Sequence, residues 1–135
     1  MKHWATDLIG MPYARHGRGP DAYDCLGFFA LVQRLHYGVI LDIDTTPENL
    51  YGMLAAIHES DERRRWTPVD KPQDGDAVLM ARNRVPVHIG TWVIANNTGG
   101  VLHCAEPAGV LYQTPQNLRM SGWGRISFYR RLRED

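Results

Sequence analysis

The stretch Asp24-Cys25-Leu26-Gly27-Phe28-Phe29-Ala30-Leu31-Val32-Gln33-Arg34-Leu35-His36-Tyr37-Gly38 decides the fold. Within it Cys25, Phe28, Phe29, Val32 and His36 recur at i, i+3, i+4, i+7 and i+11, the spacing of one face of a helix. Gly38 stands where such a helix would stop, because glycine enters the left-handed conformation of a helix end without steric cost. The pattern predicts a buried helix over Cys25–Tyr37 with a thiol at its first position.

Downstream the period changes. A second helix is predicted from about Pro47, capped by Thr45 or Thr46, through Leu50, Met53, Leu54 and Ile57, ending near Arg63. Lys71-Pro72-Gln73-Asp74-Gly75-Asp76 is a turn signal, and the apolar run from Ala77 to Met80 after it reads as the first sheet strand. Val87 to Ile94 reads as the next strand, Asn96-Asn97-Thr98-Gly99-Gly100 as a turn, and Val101 to Ala105 as the hairpin partner. Short strands follow at Val110 to Gln113 and Ile126 to Arg130. Helices first and antiparallel strands after make an α+β layer fold.

The chain has 135 residues, enough for one domain with a sizeable core, and its 44% hydrophobic and 22% charged residues fit a globular protein. Fifteen basic residues balance fifteen acidic ones, so no general field draws the molecule to nucleic acid. The clusters Arg63-Arg64-Arg65 and Arg130, Arg131, Arg133 read as solvated faces. No stretch approaches the ~18–20 apolar residues of a membrane span, and the amino terminus lacks the apolar core of a secretion signal. Synthesis in the cytoplasm is expected, with a separate delivery route for any work outside. Two cysteines, Cys25 and Cys104, are too few for a disulfide scaffold and form no CxxC pair.

A thiol at a helix amino terminus meets unpaired N–H groups and the positive end of the macrodipole, which lower thiol pKa values to roughly 3.5–7.5 at such sites. The same N–H groups can hold an oxyanion. Asp24, immediately before, acts in the opposite sense. The plainer reading is an inert buried cysteine, a common fate of this residue type.

The run from Ile9 to Phe28, with Gly10-Met11-Pro12-Tyr13, the glycine-bearing loop through Gly17 and Gly19, and Tyr23-Asp24-Cys25-Leu26-Gly27, resembles the amino-terminal signature of the NlpC/P60 peptidases. His88-Ile89-Gly90-Thr91-Trp92 is similar to that family's HxGxx strand, and Val101-Leu102-His103-Cys104-Ala105 to the strand after it. Asp74-Gly75-Asp76 resembles the family's PGD turn, with Asp74 in place of proline. The resemblance implies a papain-like fold, N-terminal helices packed on a central antiparallel sheet. It implies Cys25 as nucleophile, His88 as general base and His103 as the residue that orients it, with Tyr13 and Asp24 contacting substrate. The implied reaction is cleavage of an amide bond in peptidoglycan stem peptides, with no cofactor and no metal.

Leu26 departs from the serine of the cell-wall-recycling members, so their preference for a free amino-terminal L-alanine is not implied. The compact domain and the DCLGF form of the motif resemble stand-alone members encoded with phage or prophage tail genes, which implies tail-tip proteins as partners. A lysis enzyme, a secreted effector, a papain-like acyltransferase acting on a lipid or amine, and a non-catalytic tail component stay open. His16 reads as structural, with a substrate contact as the alternative; Cys104 reads as core; His3, His36 and His58 receive no role.

One geometric expectation needs no resemblance. If Asn96-Asn97 forms a two-residue turn, His103 faces Gly90; if Asn97-Thr98 does, it faces Trp92. Both put His88 and His103 on one side of the sheet, offset by roughly 7 or 13 Å at ~3.4 Å per residue. The smaller offset, from the tighter turn or a looser loop with equivalent pairing, is the one comfortable for direct contact.

Overall fold

The computed structural model describes residues 3–15, 17, 19–41, 61–82 and 88–132. The predicted second helix from Pro47 to Ile57 lies outside the described residues, as do His16, His58, Arg133 and Val87.

Helix α1 spans Cys25–Tyr37, as its periodicity requires. Asp24 is its N-cap, extended at φ −90° and accepting from the Gly27 N–H at 2.7 Å, and Gly38 ends it in the left-handed conformation at φ 69°. Cys25, Phe28, Phe29 and Val32 are buried. His36 departs from its expected place: it is exposed and stacks on Trp4 with ring centroids 3.7 Å apart. Gln33 is buried instead, and its amide fastens the helix to the sheet by donating to the Gly75 carbonyl at 3.0 Å.

The sheet contains β1 (Trp66–Val69), β2 (Ala77–Ala81), β3 (His88–Ala95), β4 (Thr98–Ala105), β5 (Gly109–Gln113) and β6 (Arg125–Arg131). All pairings are antiparallel, in the order β1-β6-β2-β3-β4-β5. Ala77 therefore does not open the first strand: Trp66–Val69 precedes it as an edge strand on β6. Pro68 is tolerated there because an edge strand can spare a backbone donor. A short helix, α2 (Pro115–Met120), adds to the expected elements; Thr114 and Asn117 close a capping box at its start.

The β3–β4 turn is the tighter of the two alternatives. Ala95 pairs with Thr98, so the loop is Asn96-Asn97, with φ 53° and 65°. Positive φ at both positions is what a type I′ turn demands, and asparagine tolerates it better than most residues. Thr98, Gly99 and Gly100 consequently belong to β4 rather than to the turn.

The sheet is covered on both faces. On one, Cys25, Leu26 and Phe29 of α1 pack with Ala77, Leu79 and Ile89, and Phe28 and Val32 pack with Val93, Leu102, Cys104 and Val110. On the other, Val78, Met80, Trp92 and Val101 pack with Leu118 of α2 and with Trp123. The arginine clusters are only partly solvated faces. Arg130 forms a two-pronged pair with buried Asp76, and Arg131 donates to buried Glu62 at 2.8 Å. A buried carboxylate needs such donors, since leaving it unpaired is costly. Among the described residues no helix is long and apolar enough to cross a membrane.

Candidate active site

The approach to Cys25 is built by backbone bonds. Tyr23 N–H donates to the Pro12 carbonyl at 3.1 Å, Ala14 N–H to the Tyr23 carbonyl at 3.0 Å, and Asp24 N–H to the Gly17 carbonyl at 3.0 Å. The Gly-Met-Pro-Tyr segment is thereby laid beside the residues that lead into α1. Gly17 has no substitute here, because a Cβ would sit 2.8 Å from the Ala14 carbonyl oxygen and 2.9 Å from that of Ala22. Tyr13 is half-buried, and its hydroxyl pKa is raised by burial, then by the nearby Cys25 and Asp24. Tyr13, Asp24 and Cys25 thus form one cluster.

Cys25 is only 5% exposed. Backbone N–H groups of Leu26 and Ile89 stabilise its thiolate, but burial outweighs them, followed by the Asp24 carboxylate, and together these push the thiol up to about 12. The expectation of a depressed thiol pKa is therefore corrected. The helix end that would have favoured the thiolate has given its Gly27 N–H to Asp24, which brings a negative charge with it.

His88 opens β3, and His103 lies opposite Gly90 in the register set by the tight turn. A Cβ on Gly90 would lie 2.9 Å from the His103 Cβ and 2.6 Å from a Val101 methyl, so only glycine lets β4 approach this closely. The result is direct contact: His88 Nε2 and His103 Nδ1 are 2.8 Å apart, with the rings edge to face. His88 is 6% and His103 1% exposed. Burial, then the neighbouring His103, hold His88 down to about 3; burial also lowers His103, against a smaller upward push from Gln113. Both imidazoles are neutral at physiological pH.

Two partners of this pair were not legible in the sequence as site residues. Trp123, beyond α2, stacks on the His88 ring with centroids 4.8 Å apart and planes 13° from parallel, and the Arg82 guanidinium lies 4.0 Å from the Trp123 ring. Gln113, the last residue of β5, places Oε1 2.8 Å from His103 Nε2. Nothing in a lone tryptophan or glutamine announces such a role. The signal that could have exposed α2 was local, Thr114-Pro115 with Asn117 at the third helical position.

The structure brings His88 to His103, and Cys25 to Tyr13 and Asp24. It brings the two groups together through the backbone: the N–H beside Sγ belongs to Ile89, the peptide that follows His88. Successive side chains of a strand point to opposite faces. Ile89 accordingly packs with Cys25 on the α1 face, while the His88 ring stacks on Trp123. Among the described residues no hydrogen bond joins His88 to Cys25; the bond of its ring is to His103. A cleft of about 500 Å³ lies nearby, at the ends of β2 and β6. Its lining includes Leu79, which packs beside Cys25, and Trp123, which packs on His88, together with Arg119 and Arg125.

Cys104 is core: it is fully buried, alternates away from His103 and donates to the Tyr23 carbonyl at 3.3 Å. His3 caps the short helical turn Trp4–Asp7. Among the described residues no group of three His, Cys, Asp or Glu is placed to hold a metal ion.

No protein-family model and no curated protein matches the chain. A solved structure does: the NlpC/p60 domain of the peptidoglycan hydrolase SagA, with a TM-score of 0.56 and 21% sequence identity over 93% of this chain and 90% of that one. The chain has the α+β fold of an NlpC/p60 domain, with one antiparallel six-stranded sheet and a helix packed against it.

Proposed function

We propose that this chain is a cysteine hydrolase that cuts an amide bond in peptidoglycan stem peptides. The observation that carries the reading is the buried 2.8 Å contact between His88 and His103, at the end of β3 whose next backbone N–H meets the Cys25 sulfur. The likeness in fold to a domain of a peptidoglycan hydrolase supports the substrate class. The cleft beside Trp123 supports it too, since Arg119 and Arg125 can face carboxylates of a peptide over the apolar floor of Leu79, Ala81 and Ile126.

In this reading Nδ1 of His88 takes the thiol proton as Sγ attacks the amide carbonyl carbon. Of the N–H groups at the start of α1, that of Leu26 points at Sγ and stabilises the oxyanion, while that of Gly27 stays on Asp24. His88 then gives the proton to the departing amine, and water, deprotonated by the same nitrogen, hydrolyses the thioester to release the acid and restore the thiol. Because the thiol and the imidazole are both neutral at rest, proton transfer accompanies attack rather than preceding it. His103 holds the His88 ring, Tyr13 flanks the acyl group, and Asp24 holds a substrate amine. Delivery to the cell wall by a phage tail is the setting suggested by the DCLGF form of the motif.

The test is digestion of purified sacculi by the wild type and by Cys25→Ala and His88→Ala, with released fragments weighed by mass spectrometry. Peptide fragments from the wild type alone are expected; equal release by all three would reject the assignment. The second reading is a non-catalytic docking domain, favoured by the burial and raised pKa of the Cys25 thiol. It predicts no fragments from any of the three proteins.

A further inference from the structure

The hydrogen bonds of the histidine pair do not end at His103. His103 Nε2 lies 2.8 Å from Gln113 Oε1, and Gln113 Nε2 lies 3.1 Å from the Ser121 hydroxyl oxygen, just beyond α2. With Oε1 of Gln113 facing the ring, the carbonyl oxygen only accepts, and His103 carries its hydrogen on Nε2. A neutral imidazole has one N–H, which leaves the lone pair of His103 on Nδ1. That lone pair faces His88 Nε2 at 2.8 Å, so His88 must donate from Nε2, and its own lone pair falls on Nδ1. Each step has one solution once the amide oxygen is fixed.

We infer that Gln113 is a positioning residue that sets the tautomer of His88 through His103, placing the lone pair on the ring nitrogen that His103 does not occupy. The inference rests on the reading of His88 as the base that takes the Cys25 proton. With the Gln113 amide reversed, its N–H₂ would donate to His103 Nε2, the hydrogens of both rings would shift, and His88 would present an N–H where the base needs a lone pair. Gln113 touches no reacting atom; it acts by making one of two otherwise similar tautomers the better bonded one. Its place follows from the fold, because β5 pairs with β4 and Gln113 sits across from Val101, two residues from His103 and on the same face.

Gln113→Met keeps the length of the side chain without donor or acceptor, and Gln113→Glu keeps an acceptor. Two-bond ¹H–¹⁵N spectra of the histidine rings read the tautomer directly and need no activity. The expected result is His88 with a protonated Nε2 and an unprotonated Nδ1 in the wild type and in Gln113→Glu, and a mixture of tautomers in Gln113→Met. Turnover of a stem peptide should fall roughly tenfold in Gln113→Met, in kcat and not in KM, and be largely restored in Gln113→Glu. A wild-type His88 protonated on Nδ1, or an unchanged tautomer in Gln113→Met, overturns the inference. If Gln113→Met does not fold, the wild-type and Gln113→Glu spectra decide alone. A correct tautomer in a protein that releases no peptide would sink the proposed function and leave the hydrogen-bond assignment standing.

Discussion

The two faces of β3 differ in kind. Toward α1 the strand offers Ile89 and Val93 to an apolar layer, and the sulfur of Cys25 is packed there as a neutral thiol. Toward α2 it offers His88 beside His103, a polar chain sealed by Trp123 and continued by Gln113. One face is ordinary core with a thiol in it, and the other is a buried polar network with every ring nitrogen of His103 bonded. The lesson is that the thiol and the imidazole are prepared separately, by different contacts, and that the proposed reaction requires them to meet where β3 begins.

If that division is right, the faces fail differently. Cys25→Ala should abolish peptide release, by about 10⁴-fold or more, while leaving the histidine pair and the melting temperature nearly intact. Comparable residual activity would break the comparison at once. Acid should act on the other face. His88 has a folded pKa near 3 against 6.5 unfolded, so the unfolded chain binds the proton first as pH falls below about 6.5. The stability contributed by the neutral ring is present above that pH and is lost progressively toward pH 3, on the order of 1.4 kcal/mol per pH unit. His103 titrates in the same sense. Denaturant melts of the wild type and His88→Gln between pH 7 and 4 check this: the variant should lose stability less steeply.

A smaller effect tests the fit between the strands. Gly90→Ala should cost about 1–3 kcal/mol, because its methyl would meet Val101 and the His103 Cβ. Gly124→Ala is the control, since a Cβ there meets nothing within 4 Å. Equal melting temperatures for the two variants would contradict the packing described. The smallest expected change is in Asp24→Asn. Asparagine caps a helix as well as aspartate, so stability should hold, but loss of the carboxylate removes a cause of the raised thiol pKa. The pH midpoint of Cys25 alkylation should move down; an upward move would contradict the electrostatics.

What the sequence revealed and concealed follows the same line. Local patterns were legible: the period from Cys25 to Val32, the stop at Gly38, and the Asn96-Asn97 turn whose register brings His103 opposite Gly90. The histidine contact could be anticipated because it depends on a single hairpin. Concealed features depend on distant chain or on competing terms. Trp66–Val69 is too short and carries Pro68, so it forms only because β6 supplies a partner. Gln113 and Trp123 reach the histidines through a strand pairing and a helix turn that no local pattern joins to them. The balance of terms at the thiol was not legible because helix-end electrostatics and the Asp24 charge are visible in sequence, whereas the depth of burial is not.

The central claim is that the Cys25 sulfur and the His88 imidazole act on one substrate from opposite faces of β3. A crystal structure of the protein after reaction with a stem-peptide analogue bearing a thiol-reactive ketone tests it most directly. The expected result is a covalent bond to Sγ of Cys25 with Nδ1 of His88 within hydrogen-bonding distance of the adduct, and Nε2 still on His103. An adduct on Cys25 with the His88 ring held out of reach, or modification elsewhere, would contradict it.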